Sequence, residues 1–170
     1  MEARPPVSRL IATFGFVGLL SPAPGTWGAL AAIPLALGVH WLSGPIGLAL
    51  ATIGLFAAGL WASEQELLDS EGEDDPPEIV VDEVIGQWIA LLPVSLGASS
   101  MGVTFLALWP GIVTAFVAFR ILDIWKPSVI GRVDRRGDAL GLMLDDALAG
   151  VGAAGAVLAL AFLSHRILGA

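Results

Sequence analysis

The 170-residue chain is 56% hydrophobic and only 14% charged, with a mean hydropathy of +0.82, whereas a soluble domain carries about 25% charged residues, so its apolar surplus needs lipid or a large oligomeric interface to cover it. Cysteine and tyrosine are absent, which excludes disulfides, thiolate zinc sites, cysteine nucleophiles and phenolic acids or bases. The net charge of −8 is divided into blocks: ten of the 16 acidic residues fall between Glu64 and Glu83, a span without Lys or Arg, and five of the eight basic residues fall between Arg120 and Arg136.

At the N-terminus Arg4 and Arg9 lead into an apolar run at 10–20, too short to span a bilayer and read as an interfacial or re-entrant piece. It runs into Ser21-Pro22-Ala23-Pro24-Gly25 rather than a small-x-small cleavage site, so a cleaved signal peptide is not expected. The prolines and glycines of Ser21-Pro22-Ala23-Pro24-Gly25-Thr26-Trp27-Gly28 predict a rigid turn. Thr26 would cap the next helix, whose free N–H groups would receive an anion; a plain turn with Trp27 in an aromatic belt is the equal alternative. Runs at 27–42, 45–62, 103–119 and 147–164 suit membrane crossings. The run at 84–98 holds Gln87 and Pro93 and is expected to be tilted, broken or partly buried. The fold class is therefore all-α: one polytopic helical membrane domain over 1–170 with about four to five membrane-embedded helices. A soluble oligomer of mutually buried helices is the rival, and the lack of amphipathic charge on these runs speaks against it.

The distribution of Lys and Arg puts the N-terminus, the acidic block and the basic block on the cytoplasmic side, where the two blocks can meet. The last run carries the C-terminus outward, against the single charge of Arg166. His40 and His165 stand apart from the carboxylates and are read as structural or interfacial.

Four segments carry candidate chemistry. In Glu78-Ile-Val-Val-Asp82-Glu83, Pro76 and Pro77 mark a helix start, and Glu78 and Asp82 at i, i+4 would share a face with a cation between them, Glu83 pointing about 100° away. Asp145 and Asp146 stand between Leu144 and Leu148 at the head of a long apolar helix, where two carboxylates need more compensation than a helix dipole gives. A faint repeat, Asp82-Glu83…Gly86 and Asp145-Asp146…Gly150, suggests two similar helix starts feeding one centre. Arg120, Asp123 and Lys126 recur at helical spacing before Pro127 and suit phosphate oxygens. Arg132, Arg135 and Arg136 read equally well as an ordinary basic flank. The Pro-Gly turn around Thr26 is the fourth.

These motifs, in this order, resemble the phosphatidylglycerophosphatase A family: Ser-Pro-Ala-Pro-Gly-Thr-Trp-Gly at 21–28, Glu-Ile-Val-Val-Asp-Glu at 78–83, Phe-Arg-Ile-Leu-Asp-Ile-Trp-Lys-Pro at 119–127, Asp134-Arg135, and Gly-Leu-Met-Leu-Asp-Asp-Ala-Leu-Ala-Gly at 141–150. The resemblance spans about residues 15–152. It departs in a slightly short Asp134–Asp145 spacing and in the acidic insert at 64–75.

The resemblance implies Mg²⁺-dependent hydrolysis of phosphatidylglycerophosphate to phosphatidylglycerol and phosphate, as part of phospholipid biosynthesis at the bacterial cytoplasmic (inner) membrane. The expected metal ligands are Glu78, Asp82, Asp145 and Asp146, with Asp123 as a further ligand or base. The expected phosphate partners are Arg120, Lys126, Thr26 and Arg135. The catalytic set is Asp82, Asp123, Asp145 and Asp146, and direct water attack and an aspartyl-phosphate intermediate both stay open. Partners are the lipid substrate and the bilayer, with an oligomer compatible and no nucleic acid expected. Two other classes compete: a transporter subunit passing cations or protons along its carboxylates, and a scaffold packing through the Gly- and Ala-rich faces near Gly150.

Overall fold

The computed structural model describes residues 6–68 and 76–168. Arg4 and the acidic stretch from Asp69 to Asp75, used above to argue orientation, lie outside the described residues. Everything regular is helical: α1 (Pro6–Ala12), a 3-10 turn (Val17–Leu19), α2 (Pro24–Leu68), α3 (Val81–Met101), a 3-10 turn (Phe105–Leu108), α4 (Trp109–Trp125), α5 (Val129–Asp134) and α6 (Ala139–Leu168). Four helical segments are long and apolar enough to cross a membrane: α2, α3, Phe105–Trp125 and α6.

α2 is one helix only in name. Gly44 breaks it with φ 66° and ψ −164°, a region open essentially to glycine alone, and Pro45 starts the next segment as a first-turn proline. The arms 24–43 and 45–68 fold back on one another. Gly28 of the first arm abuts Val80, and Gly59 of the second abuts Val81; a straight helix would hold those glycines about 46 Å apart at 1.5 Å per residue. The bundle therefore has five crossing-length segments, at the upper end of the sequence expectation.

α3 is the central helix, and of the alternatives for the run at 84–98 it takes the partly buried one rather than the broken one. It runs unbroken from Val81 to Met101 across Pro93, with most of its first half buried against neighbouring helices. Val84, Trp88 and Leu91 join Ala29, Ala32 and Ala36 of the first arm, with Ala149 and Ala153 of α6, in the main core. Val81 and Ile85 join Ala62 and Met143 in a second cluster. The Trp88 indole N–H donates to the Ala32 carbonyl at 2.9 Å, pinning α3 to the first arm.

α3 and α6 cross where neither has a side chain. A Cβ on Gly150 would overlap the Gly86 carbonyl oxygen, and one on Gly86 would stand 2.7 Å from the Asp146 carbonyl oxygen. Gly86 lies four residues after Asp82, and Gly150 four after Asp146, so each glycine shares a helix face with the aspartate one turn before it. The faint repeat in the sequence is thus a packing device: the glycines bring two parallel helices into contact, and Asp82 and Asp146 face each other one turn up.

Helix direction collects all the chemistry at one end. The first arm starts there and the second ends there; α3 and α6 start there; α4 ends there; α1 and α5 cap it. The N-terminal segment is tied to the turn before α3 by the Val80 N–H donating to the Ala12 carbonyl at 2.9 Å, and to the second arm by Ser8 Oγ donating to buried Glu66 at 2.9 Å. Exposed tryptophans mark both ends: Trp27, Trp61 and Trp125 at the carboxylate end, Trp41 and Trp109 at the other. Along the first arm and α4 these belts are about 21–24 Å apart, the placement of interfacial aromatic girdles.

The crossing makes a clear test. Gly150→Leu is expected to lower stability in detergent by about 1–3 kcal/mol through overpacking, whereas Gly155→Ala, where a Cβ meets nothing within 4 Å, should leave the thermal midpoint unchanged. Equal midpoints for both variants would refute the glycine contact.

Candidate metal and phosphate site

Asp82 and Glu83 open α3, and Asp146 lies in the second turn of α6. One carboxylate oxygen from each lies within 4.8 Å of the others, making a three-carboxylate group. Asp82 and Asp146 are buried and Glu83 is half-buried. At separations up to 4.8 Å, each pair of negative charges repels by roughly 3 kcal/mol or more at an effective dielectric of about 20. Helix N-termini return only about 0.3–1 kcal/mol per charge. The group therefore calls for a cation.

Two basic side chains are at hand, and both are already engaged. Arg120 Nη1 donates to Asp123 Oδ2 at 2.5 Å, and Asp123, buried on α4, faces Asp146. Lys126 donates to Asp134 and, at 2.7 Å, to Asp145 Oδ2. Burial alone would pull the Lys126 ammonium down, but the hydrogen bonds and charges of Asp134 and Asp145 outweigh it and hold the group above its ordinary range. The lysine therefore stays charged throughout neutral pH and ties the end of α4 to the head of α6.

Several polar atoms in this region are buried with no hydrogen-bond partner: Glu83 Oε2, Asp145 Oδ1, Asp146 Oδ2, Arg120 Nε and both amide atoms of Gln87. Such atoms cost about 1–3 kcal/mol each, more when charged. Gln87 sits one turn beneath Glu83 on the same face of α3, and helical side chains lean toward the N-terminus, which directs its amide to the Glu83 turn. Orphaned carboxylate oxygens in a hard, all-oxygen donor set fit a divalent cation such as Mg²⁺.

The site differs from the sequence expectation in several ways, Asp145 among them, which lies outside the three-carboxylate group. Glu78 stands in the turn before α3, which begins only at Val81, so it shares no helical face with Asp82 and is not in the three-carboxylate group; Glu83 is. The prolines at 76 and 77 shape that turn rather than the helix, because the Ile79 N–H closes the turn onto the Pro76 carbonyl and the Val80 N–H goes to Ala12 before α3 begins. Thr26 is not a cap: α2 starts at Pro24, and the Ala23 carbonyl already takes the Trp27 N–H. Thr26 lies in the first turn, whose Gly25 and Thr26 N–H groups precede the helix's own ladder. Lys126 is a strut between two carboxylates rather than a free cation. Arg135 is exposed beside Gly131 and makes no ion pair among the described residues.

Sequence reasoning also missed Gly25. A Cβ there would overlap Glu83 Oε1 and lie 3.3 Å from Arg120 Nη1, so glycine lets the first turn of α2 close over the acidic residue and its arginine. Asp138 was missed too. It caps α6, its Oδ1 accepting the Gly141 N–H at 2.7 Å while Arg136 donates to both carboxylate oxygens. The Arg136 contact first, then that of Gly141, holds the Asp138 carboxyl below its usual range.

A model of the family described as phosphatidylglycerophosphatase A matches residues 10–161. Phosphatidylglycerophosphatase A of Escherichia coli is 37% identical over 154 residues, covering 89% of this chain and 81% of its own, and that of Haemophilus influenzae is 34% identical over 148 residues, covering 86% and 83%. A Bacteroides thetaiotaomicron protein provisionally named as a phosphatidylinositol-3-phosphatase is 35% identical over 153 residues, covering 87% and 90%. No solved structure matches.

Two outcomes follow from the geometry. Gly25→Ala pushes against the far end of a flexible side chain, so it should leave the thermal midpoint within a degree or two while lowering any activity that needs Glu83 by about tenfold or more. Midpoint and turnover measured on the same preparation decide it. The Asp138 contribution is present above the unfolded carboxylate value of about 3.9 and is lost as pH falls through the depressed folded value. The midpoint gap between wild type and Asp138→Ala should therefore be open at pH 7 and close below about pH 4.

Proposed function

Since the chain belongs to the phosphatidylglycerophosphatase A family, we propose that it hydrolyses the terminal phosphomonoester of phosphatidylglycerophosphate to phosphatidylglycerol and inorganic phosphate. The family makes it a phosphoric monoester hydrolase. The observation that carries the reading is the convergence of Asp82, Glu83 and Asp146 beside the Arg120–Asp123 pair, at one end of a membrane-length bundle.

On this reading Mg²⁺ held by Asp82, Glu83 and Asp146, with Asp123 and Asp145 beside them, would polarise the phosphoryl oxygen and lower the pKa of an attacking water. Asp123, oriented by Arg120, would receive the proton of that water. Arg120 keeps an unpartnered buried Nε for a phosphoryl oxygen, where a fixed donor stabilises the charge of transfer. The first-turn N–H groups of Gly25 and Thr26 give a second anion contact at a helix N-terminus. Lys126 holds Asp145 in place, and Arg135 would meet the headgroup from the exposed rim. An acceptor carboxylate forming an aspartyl-phosphate is the rival to direct water attack.

The basic side chains support a cytoplasmic site. Among the described residues, Arg9, Arg120, Lys126, Arg132, Arg135 and Arg136 stand at the carboxylate end and only Arg166 at the other, the bias that directs an end to the cytoplasm. The place of action is then the inner leaflet of the bacterial cytoplasmic membrane, and the role is in phospholipid synthesis.

The test is phosphate release from phosphatidylglycerophosphate in mixed micelles, with phosphatidylinositol 3-phosphate as the competing substrate. Wild type should release phosphate from the former with Mg²⁺ and not with EDTA. Asp82→Asn, Glu83→Gln and Asp146→Asn should each lose on the order of 100-fold or more, since several kcal/mol of transition-state stabilisation goes with the ion. Glu78→Gln should keep near wild-type turnover. A chain that prefers the inositol lipid, or an Asp146→Asn variant as active as wild type, would end this reading.

A further inference from the structure

We propose that Gln87 is a positioning residue of the carboxylate centre, its side-chain amide donating to Glu83 Oε2 and so fixing that carboxylate for the cation. The inference rests on the metal reading above and adds the residue that orients one of its ligands.

Packing does not account for Gln87. It is fully buried on α3, in a stretch from Val84 to Leu91 whose other residues are apolar apart from the Trp88 indole N–H. Buried polar side chains are nearly always paired, and its neighbours on the helix obey that rule. Trp88 donates to the Ala32 carbonyl at 2.9 Å, and Ser95 Oγ lies 2.7 Å from His40 Nδ1. Gln87 Nε2 and Oε1 have no partner among the described residues. A methionine would fill the same space and strand no polar atom.

Position does account for it. Gln87 follows Glu83 by four residues, which puts both on one face of α3 with their Cβ atoms about 5–6 Å apart. The Cα–Cβ bonds of a helix tilt toward its N-terminus, so Gln87 leans to the turn that bears Glu83. Glu83 Oε2 is the matching orphan: buried, unpaired, and an acceptor where the amide is a donor. The other oxygen, Oε1, lies against Gly25, with Arg120 Nη1 near the same point. Glycine thus leaves room for one oxygen of Glu83 while the amide secures the other. A carboxylate oxygen has two lone pairs, so Oε2 can accept this hydrogen bond and still meet an ion. A hydrogen-bonding partner behind a metal ligand typically adds 10–100-fold to metal affinity.

Mn²⁺ titration of the purified full-length chain in detergent, with free ion followed by electron paramagnetic resonance, tests this without lipid substrate. Gln87→Met should raise the Mn²⁺ Kd by about tenfold or more. Its thermal midpoint in EDTA should stay at or above that of wild type, since the amide has no other partner to lose. Gln87→Asn keeps the amide but draws it back by one methylene, so it should bind as weakly, and it gives the answer should Gln87→Met not fold. Ser95→Ala removes a buried polar group about 18 Å further along α3 and should keep the wild-type Kd. A wild-type Kd in both Gln87 variants overturns the proposal and leaves the metal reading standing, as does an equal weakening in Ser95→Ala. Wild type that binds no Mn²⁺ overturns the metal reading itself, and this proposal with it.

Discussion

Like charges forced together inside an apolar bundle set the terms for the rest of this molecule. Asp82, Glu83 and Asp146 stand within 4.8 Å of one another, a repulsion larger than any helix dipole offsets. It persists because the helices that bear these residues are fastened elsewhere: α3 to the first arm through Trp88, α6 to α3 through Gly86 and Gly150, and α4 to α6 through Lys126. Apolar packing over the length of the bundle thus holds the charges in place at one end. Strain of this kind, localised and over-determined by its surroundings, is the usual mark of a working site.

Much of this was legible in the chain. The apolar runs, the charge blocks and the carboxylate motifs led to a helical membrane bundle with its acids and bases at one end, because lipid imposes helices and length limits on any sequence that crosses it. Asp82, Asp123, Asp146 and Arg120 were named as site residues from their apolar or helical context, and the structure brings them together. Glu83 was set aside on the assumption that the helix began near Glu78, which made Glu78 the partner of Asp82. The true start at Val81 depends on the Ala12–Val80 hydrogen bond, a contact between segments almost seventy residues apart that no local pattern announces.

The same limit explains the other misses. Gly25 reads as a turn residue, and only the approach of Glu83 and Arg120 shows why a side chain there would intrude. Lys126 reads as a free cation because the sequence does not say that Asp134 and Asp145 both fold onto it. The two-arm shape of α2 was closer to the surface of the sequence: Gly44-Pro45 is a turn signal, and a single residue with φ of 66° turned it into a hairpin.

The tryptophan belts carry a consequence for encounter. Trp125 follows Asp123 by two residues, and Trp27 follows Gly25 by two, so on the proposed reading the carboxylate centre would sit near the depth of the lipid phosphates. A membrane lipid drifting sideways would present its headgroup without being lifted from its leaflet. Capture then becomes a search in two dimensions, and surface density in the leaflet, rather than bulk concentration, governs how often the centre is filled.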